Sequence, residues 1–212
     1  MKSKIVLALL ALAGSSFGAL VSLESLQTFD GTGDTGFKNS AGPMTSGLVR
    51  VGIFTTLTDL QVLGFATALD FDSLNGALTT LASDNFTGVE TAYGSAIPGL
   101  VSMNASGIVA TGSETLYTMA SKNGEWALFK HNSVLVPDPA LPALENTYAL
   151  SLTDGQILVG SQGGTYVADY SGLNGPSASS TVVSRSIALI PEPSAALLGA
   201  LGALGLLRRR RN

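Results

Sequence analysis

The chain reads as mainly β: a β-sandwich with one or two short helices, framed by an N-terminal signal helix and a C-terminal transmembrane helix. Three observations carry the β reading. First, 25 glycines and 8 prolines among 212 residues cut the apolar runs into short pieces, and short runs bounded by turn residues favour strands. Second, Asn123-Gly124 stands between two strand-like runs; Asn-Gly is the favoured type I′ hairpin turn, because both central residues need positive φ. Third, Leu48 to Phe54 alternates Leu48, Arg50, Gly52 and Phe54 against Val49, Val51 and Ile53, the period of a strand.

At the start of the chain, Lys2 and Lys4 precede the short apolar run Ile5–Ala13, and Ser16-Phe17-Gly18 places small residues at −3 and −1. That is the pattern of a secretory signal peptide over residues 1–18, cleaved between Gly18 and Ala19. It implies export machinery and a signal peptidase as partners.

Residues 19–189 then make one exported β-rich domain, long enough for a sizeable core. Within it Lys38, Arg50, Lys122, Lys130 and Arg185 face 14 acidic residues, a net charge of −9. The whole-chain value of −4 hides this excess, because the other six basic residues sit in the two terminal segments. Such a surface repels phosphate backbones, so nucleic acid is not an expected partner. The chain has no cysteine, which excludes disulfides, thiolate metal sites and thiol nucleophiles.

Leu48–Phe54 is the first clear strand. Thr58–Leu69 fits a helix or a strand. Ser73, followed by Leu74, Ala77, Leu78 and Leu81, offers N-cap chemistry and helical spacing, so a short helix is expected over roughly 74–82. Strands are expected at Leu100–Met103, Gly107–Ala110, Thr165–Tyr170 and Thr181–Ala188. The strongest element is the hairpin of Leu116–Ser121 and Trp126–Lys130. A two-residue loop sets Lys122 opposite Glu125, Ser121 by Trp126, Met119 by Leu128 and Tyr117 by Lys130. A second hairpin is expected from Tyr148–Leu152 and Gln156–Val159, turning at Thr153-Asp154-Gly155. Pro137, Pro139 and Pro142 mark a stiff loop, and Ser171–Ser180 a flexible connection.

The chemical motifs are weak. Gly31-Thr32-Gly33-Asp34-Thr35-Gly36 matches G-x-G-x-x-G, but Phe37–Pro43 cannot start the helix that a dinucleotide site requires. Asp70-Phe71-Asp72 with Asn75-Gly76 is a residue too long for a calcium loop and reads as helix capping. Asp30 and Asp34 could bind calcium together with backbone carbonyls, but no further residue in the sequence marks such a site. His131 is the only histidine, reads as a surface residue, and has no cysteine or carboxylate cluster beside it for zinc. No G-x-S-x-G elbow frames a serine. Trp126 with Tyr117 reads as core packing in preference to a sugar-stacking platform. No catalytic residue, cofactor site or metal site is therefore assigned.

The last 23 residues are the most informative. Pro191-Glu192-Pro193 is a rigid, non-helical step, since each proline fixes its own φ and disfavours a helical residue before it. Ala195–Leu207 is uncharged and apolar, and Arg208, Arg209, Arg210 and Arg211 follow. The apolar run spans about 20 Å as a helix, against roughly 30 Å of hydrocarbon. Extension back to Ile187 reaches bilayer length. The arginines hold the C-terminus on the cytoplasmic side.

Pro191, Glu192, Pro193 and Ser194, the apolar helix and Arg208–Arg211 together resemble the PEP-CTERM sorting signal of Gram-negative bacteria. The resemblance implies that residues 190–212 are a sorting and anchor segment, a substrate for a membrane-embedded exosortase-type transpeptidase. It further implies anchoring in the inner membrane before processing and deposition on the cell surface or in the extracellular matrix afterwards. The expected function is thus a non-catalytic surface or matrix protein, with the membrane and exopolysaccharide as further partner classes. The alternative is an exported carbohydrate-binding module or polysaccharide-active hydrolase.

Overall fold

The Asn123-Gly124 turn forms as its residue types dictate, with φ of 52° at Asn123 and 75° at Gly124. In the computed structural model, which describes residues 19–24, 35–86, 89–90, 96–97, 99–108, 114–134, 145–149, 152, 155–168, 181–183 and 185–193, this turn joins the two central strands of a mainly β protein with two short helices.

The first elements are β1 (Ala19–Glu24), β2 (Thr35–Asn39), β3 (Gly42–Pro43), β4 (Leu48–Phe54), α1 (Asp59–Thr67), α2 (Phe71–Ala77) and β5 (Leu78–Asp84). Next come β6 (Val89–Glu90), β7 (Ala96–Ile97), β8 (Ser102–Ile108), β9 (Thr115–Lys122), β10 (Glu125–Val134) and β11 (Glu145–Ala149). The last are β12 (Gly155–Val159), β13 (Ser161–Gly163), β14 (Tyr166–Ala168), β15 (Thr181–Val183), β16 (Arg185–Ala188) and β17 (Ile190–Pro191).

The main sheet runs β12-β10-β9-β4-β5, and β17 pairs with β10 beside β12. A four-stranded sheet runs β13-β16-β2-β3, and a three-stranded one β11-β1-β8. In the β9–β10 hairpin, Lys122 faces Glu125, Ser121 faces Trp126, Met119 faces Leu128 and Tyr117 faces Lys130, the register expected from the two-residue loop.

Period-2 alternation gives the main sheet two apolar faces. Val49, Val51, Ile53, Ala120, Ala127 and Phe129 pack with Phe37, Met44, Val101 and Ile187 from the neighbouring strands and loops. Tyr117, Met119, Trp126, Leu128 and Val159 pack on the other face with Val62, Ala66 and Leu74 of the two helices. A sheet apolar on both faces has to be covered on both, and α1 and α2 do so on the second.

Thr58 caps α1 through a capping box with Gln61, so the stretch that fits either period is helical over Asp59–Thr67. The helix expected over 74–82 instead starts at Phe71. Asp70 is its cap and accepts from the Ser73 N–H at 3.0 Å and the Ser73 hydroxyl at 2.7 Å, so Ser73 is a donor in the first turn. Leu78 leaves the helix with φ −70° and ψ 111°, and Leu78–Asp84 becomes a strand along β4.

Among the described residues the second expected hairpin does not form: β11 pairs in parallel with β1, and β12 pairs with β10. Gly155 is explained by this pairing. A Cβ there would stand 2.2 Å from the Phe129 ring and 2.5 Å from the Lys130 carbonyl oxygen, so glycine serves close approach to β10. Thr153 and Asp154 lie outside the described residues. The strands expected at 100–103 and 107–110 are one strand, β8, and 181–188 divides into β15 and β16. Thr35-Gly36, the end of the G-x-G-x-x-G match, opens a strand.

Gly124→Val should cost on the order of 1–3 kcal/mol, because a β-branched side chain is disfavoured at positive φ. Urea unfolding measures it, and a midpoint equal to wild type would contradict the turn geometry.

Candidate functional site

Three arrangements of polar or signal-bearing residues stand out among those described. The first contains the tripeptide. Leu189 is buried in the core and donates its N–H to the Lys38 carbonyl at 2.8 Å. Ile190 then pairs with Trp126 and Pro191 with Glu125. The Glu192 N–H donates to the Gly124 carbonyl at 2.7 Å. β12 and β17 thus lie end to end along the outer edge of β10, β12 beside Leu128–His131 and β17 beside Glu125–Trp126. Pro191 has no N–H to give to a further strand, which suits an edge. Ile190 packs among the residues under the helices, while Pro191 and Pro193 are exposed.

Of the residues expected to form the sorting signal, Pro191 and Glu192 are held against the Asn123-Gly124 turn. Pro193, expected in a non-helical step, is instead helical: proline suits a first helical position, where its missing N–H costs no hydrogen bond. Arg208, Arg209, Arg210 and Arg211 lie outside the described residues, as does Gly18, while Ala19 opens β1. The extension of the apolar tail back to Ile187 meets a physical obstacle: Ile187 is fully buried in the core, in register with Phe37 of β2. Among the described residues no helix is long and apolar enough to cross a membrane. The helices expected at the two ends lie outside the described residues.

The second arrangement centres on Asp59, at the start of α1. Its carboxylate accepts from the Lys130 ammonium, from the Tyr117 hydroxyl at 2.8 Å and from the Thr115 hydroxyl at 3.4 Å. The Lys130 hydrogen bond, aided by Tyr117 and Thr115, holds the Asp59 carboxyl below its ordinary range despite some desolvation. Burial, reinforced by Asp59, pushes the Tyr117 phenol well up. Three donors are directed at the one carboxylate, and burial keeps the Tyr117 phenol protonated at neutral pH. Their arrangement is a strut pinning the helix to β9 and β10. The signal available in the sequence was the pairing of Tyr117 with Lys130; the third member, from 58 residues away, left none.

The third arrangement is Arg50, half-buried under α2. It donates to the Asn75 side-chain carbonyl and to the Met119 sulfur at 3.1 Å, and burial lowers its pKa. The guanidinium thus links β4 to α2 and to Met119 of β9.

His131 is corrected from a surface residue to a core one: it is 2% exposed. β10 runs on to Val134, so Ala127, Phe129 and His131 share a face. Its Nε2 lies 2.8 Å from the Thr118 hydroxyl and its ring stands edge-on to Phe129. Burial pushes its pKa down to about 4. Trp126 and Tyr117 are fully buried, edge-on to Phe71 and Phe54 respectively, so they form no exposed sugar platform. Asp70 is a helix cap, its carboxyl lowered by the Ser73 hydrogen bonds. Among the described residues no group of three or more His, Asp or Glu side chains converges to hold a metal ion. Asp30 and Asp34 lie outside the described residues.

Comparison of the chain with protein-family models, curated proteins and solved structures returns no match.

Proposed function

We propose that the protein is an exported, non-catalytic component of the cell surface or extracellular matrix. Its β-sandwich domain is delivered by an N-terminal signal peptide and sorted through its C-terminal segment by an exosortase-type transpeptidase. The observation that supports this most is the Pro191-Glu192-Pro193 step, its first two residues held at a sheet edge, with the apolar run starting at Ala195 and four arginines from Arg208. A processing enzyme that acts on peptide bonds needs an extended backbone, which Pro191 and Glu192 offer, since a residue before proline is disfavoured in the helical region. Among the described residues, Asp59 and Tyr117 serve as a strut and His131 is enclosed.

The test uses three variants in the native host, followed by fractionation and intact mass. A chain ending after Pro193 keeps β17 and should be released to the medium. Replacing Arg208–Arg211 with Ser should also release full-length protein, since each arginine opposes passage through hydrocarbon by at least about 2.5 kcal/mol at its centre. Replacing Pro191, Glu192 and Pro193 with alanine should leave the protein in the inner membrane with its tail intact. Alanine at 191 retains the pairing with β10, so failure to process would not reflect a lost strand. An alanine variant processed like wild type would reduce the tail to a simple anchor.

A further inference from the structure

We infer that the end of the domain carrying the Lys122–Glu125 and Asn39–Gly42 turns is a membrane-facing surface, apposed to the phospholipid headgroups while the tail is inserted. The inference rests on the tail reading given above and adds the orientation of the domain.

Covalent reach carries the argument. Glu192 is tied to the hairpin turn through its N–H to the Gly124 carbonyl, 2.7 Å away, and Ile190 and Pro191 are paired into the same strand. The apolar run begins at Ala195. Three residues of fully extended chain span only about 10 Å, so the turn sits within that distance of the point where the chain enters the membrane. The second turn comes with it, because the Ser40 N–H donates to a Glu125 carboxylate oxygen at 2.9 Å. A long flexible linker would let the domain tumble; this tie leaves it one end to present.

The chemistry of that end suits an anionic headgroup layer. The domain is strongly acidic, but here Lys38 and Lys122 balance Glu125 and Glu192, and Thr45, Ser46, Ser40 and Ala41 add no charge. These charges cancel, so the two turns themselves add no net negative charge facing anionic lipid that would repel it. Asn132, exposed near the far end of β10, is seven residues from Glu125. At about 3.3 Å per residue it lies roughly 20 Å further from the tail.

Because the protein has no cysteine, single sites can be labelled. Ala41→Cys and Asn132→Cys, both at exposed positions, would carry a fluorophore in the full chain. The chain is then reconstituted in phosphatidylethanolamine–phosphatidylglycerol vesicles containing a headgroup-attached nitroxide lipid and no other protein. In vesicle-bound protein, quenching should be several-fold stronger at 41 than at 132. Ile190→Asp, which loosens β17 without touching the tripeptide, should shrink that difference. Equal quenching at both sites, or stronger quenching at 132, in a chain that floats with the vesicles would overturn the orientation alone. A chain that does not float would overturn the tail reading, and the orientation with it.

Discussion

Trp126→Ala should destabilise the domain by about 3–5 kcal/mol, the range for removing a buried large aromatic, and so lower the melting temperature by on the order of 10 °C for a domain of this size. Trp126 is fully buried, edge-on to Phe71 at a ring-centroid distance of 5.3 Å, and packed with Tyr117, Met119 and Leu128 between the main sheet and its two helices. Trp126→Phe should cost much less. It keeps most of the apolar volume and removes an indole N–H that finds no acceptor, a group that burdens the folded state. The same pair of variants separates packing from recognition. A sugar platform would lose carbohydrate binding with its melting temperature intact, whereas a core residue loses stability first. Because Trp126 faces Ile190 across the β10–β17 pair, Trp126→Ala and Ile190→Ala should be non-additive by more than about 0.5 kcal/mol. Strict additivity would mean that β17 and the tripeptide after it are not coupled to the core.

What was legible in the sequence was whatever local chemistry decides. The register of the β9–β10 hairpin could be read because Asn-Gly specifies the turn and the turn specifies the register, although β10 runs past the expected Lys130 to Val134. Leu48–Phe54 could be read because its alternation is uninterrupted. Asp70 and Ser73 illustrate a local ambiguity: both are good caps, and the helix starts from the one whose carboxylate can take two hydrogen bonds from the other. Pairing between distant segments leaves no comparable trace. Asp154-Gly155 has the composition of a hairpin turn, yet Gly155 is glycine because Phe129 occupies the space of its side chain. The docking of Glu192 on Gly124, 68 residues upstream, is of the same kind: the tripeptide's stiffness was readable and its partner was not. His131 was readable in principle, since Ala127, Phe129 and His131 continue one period-2 series, but only once β10 is known to run past Lys130.

That histidine makes the domain acid-sensitive. Its pKa is pushed from the ordinary 6.5 down to about 4 by burial, while in the unfolded chain it returns to the ordinary value. Above pH 6.5 both states hold the ring neutral and it contributes no pH dependence. As the pH falls below 6.5, the unfolded chain takes up a proton that the folded chain refuses, so stability falls by about 1.4 kcal/mol per unit. The loss levels off below about pH 4 and totals on the order of 3 kcal/mol. Asp59 and Asp70, whose carboxyls are held below their ordinary range, lose their contribution only as the pH falls further, which keeps the two windows apart. His131→Gln supplies the comparison. It can still reach the Thr118 hydroxyl but has no proton to gain, so the difference between the two proteins isolates the imidazole. Urea midpoints at pH 7, 6, 5 and 4 should fall steeply for wild type and nearly hold for the variant. Parallel curves would mean that the ring is protonated in the folded protein.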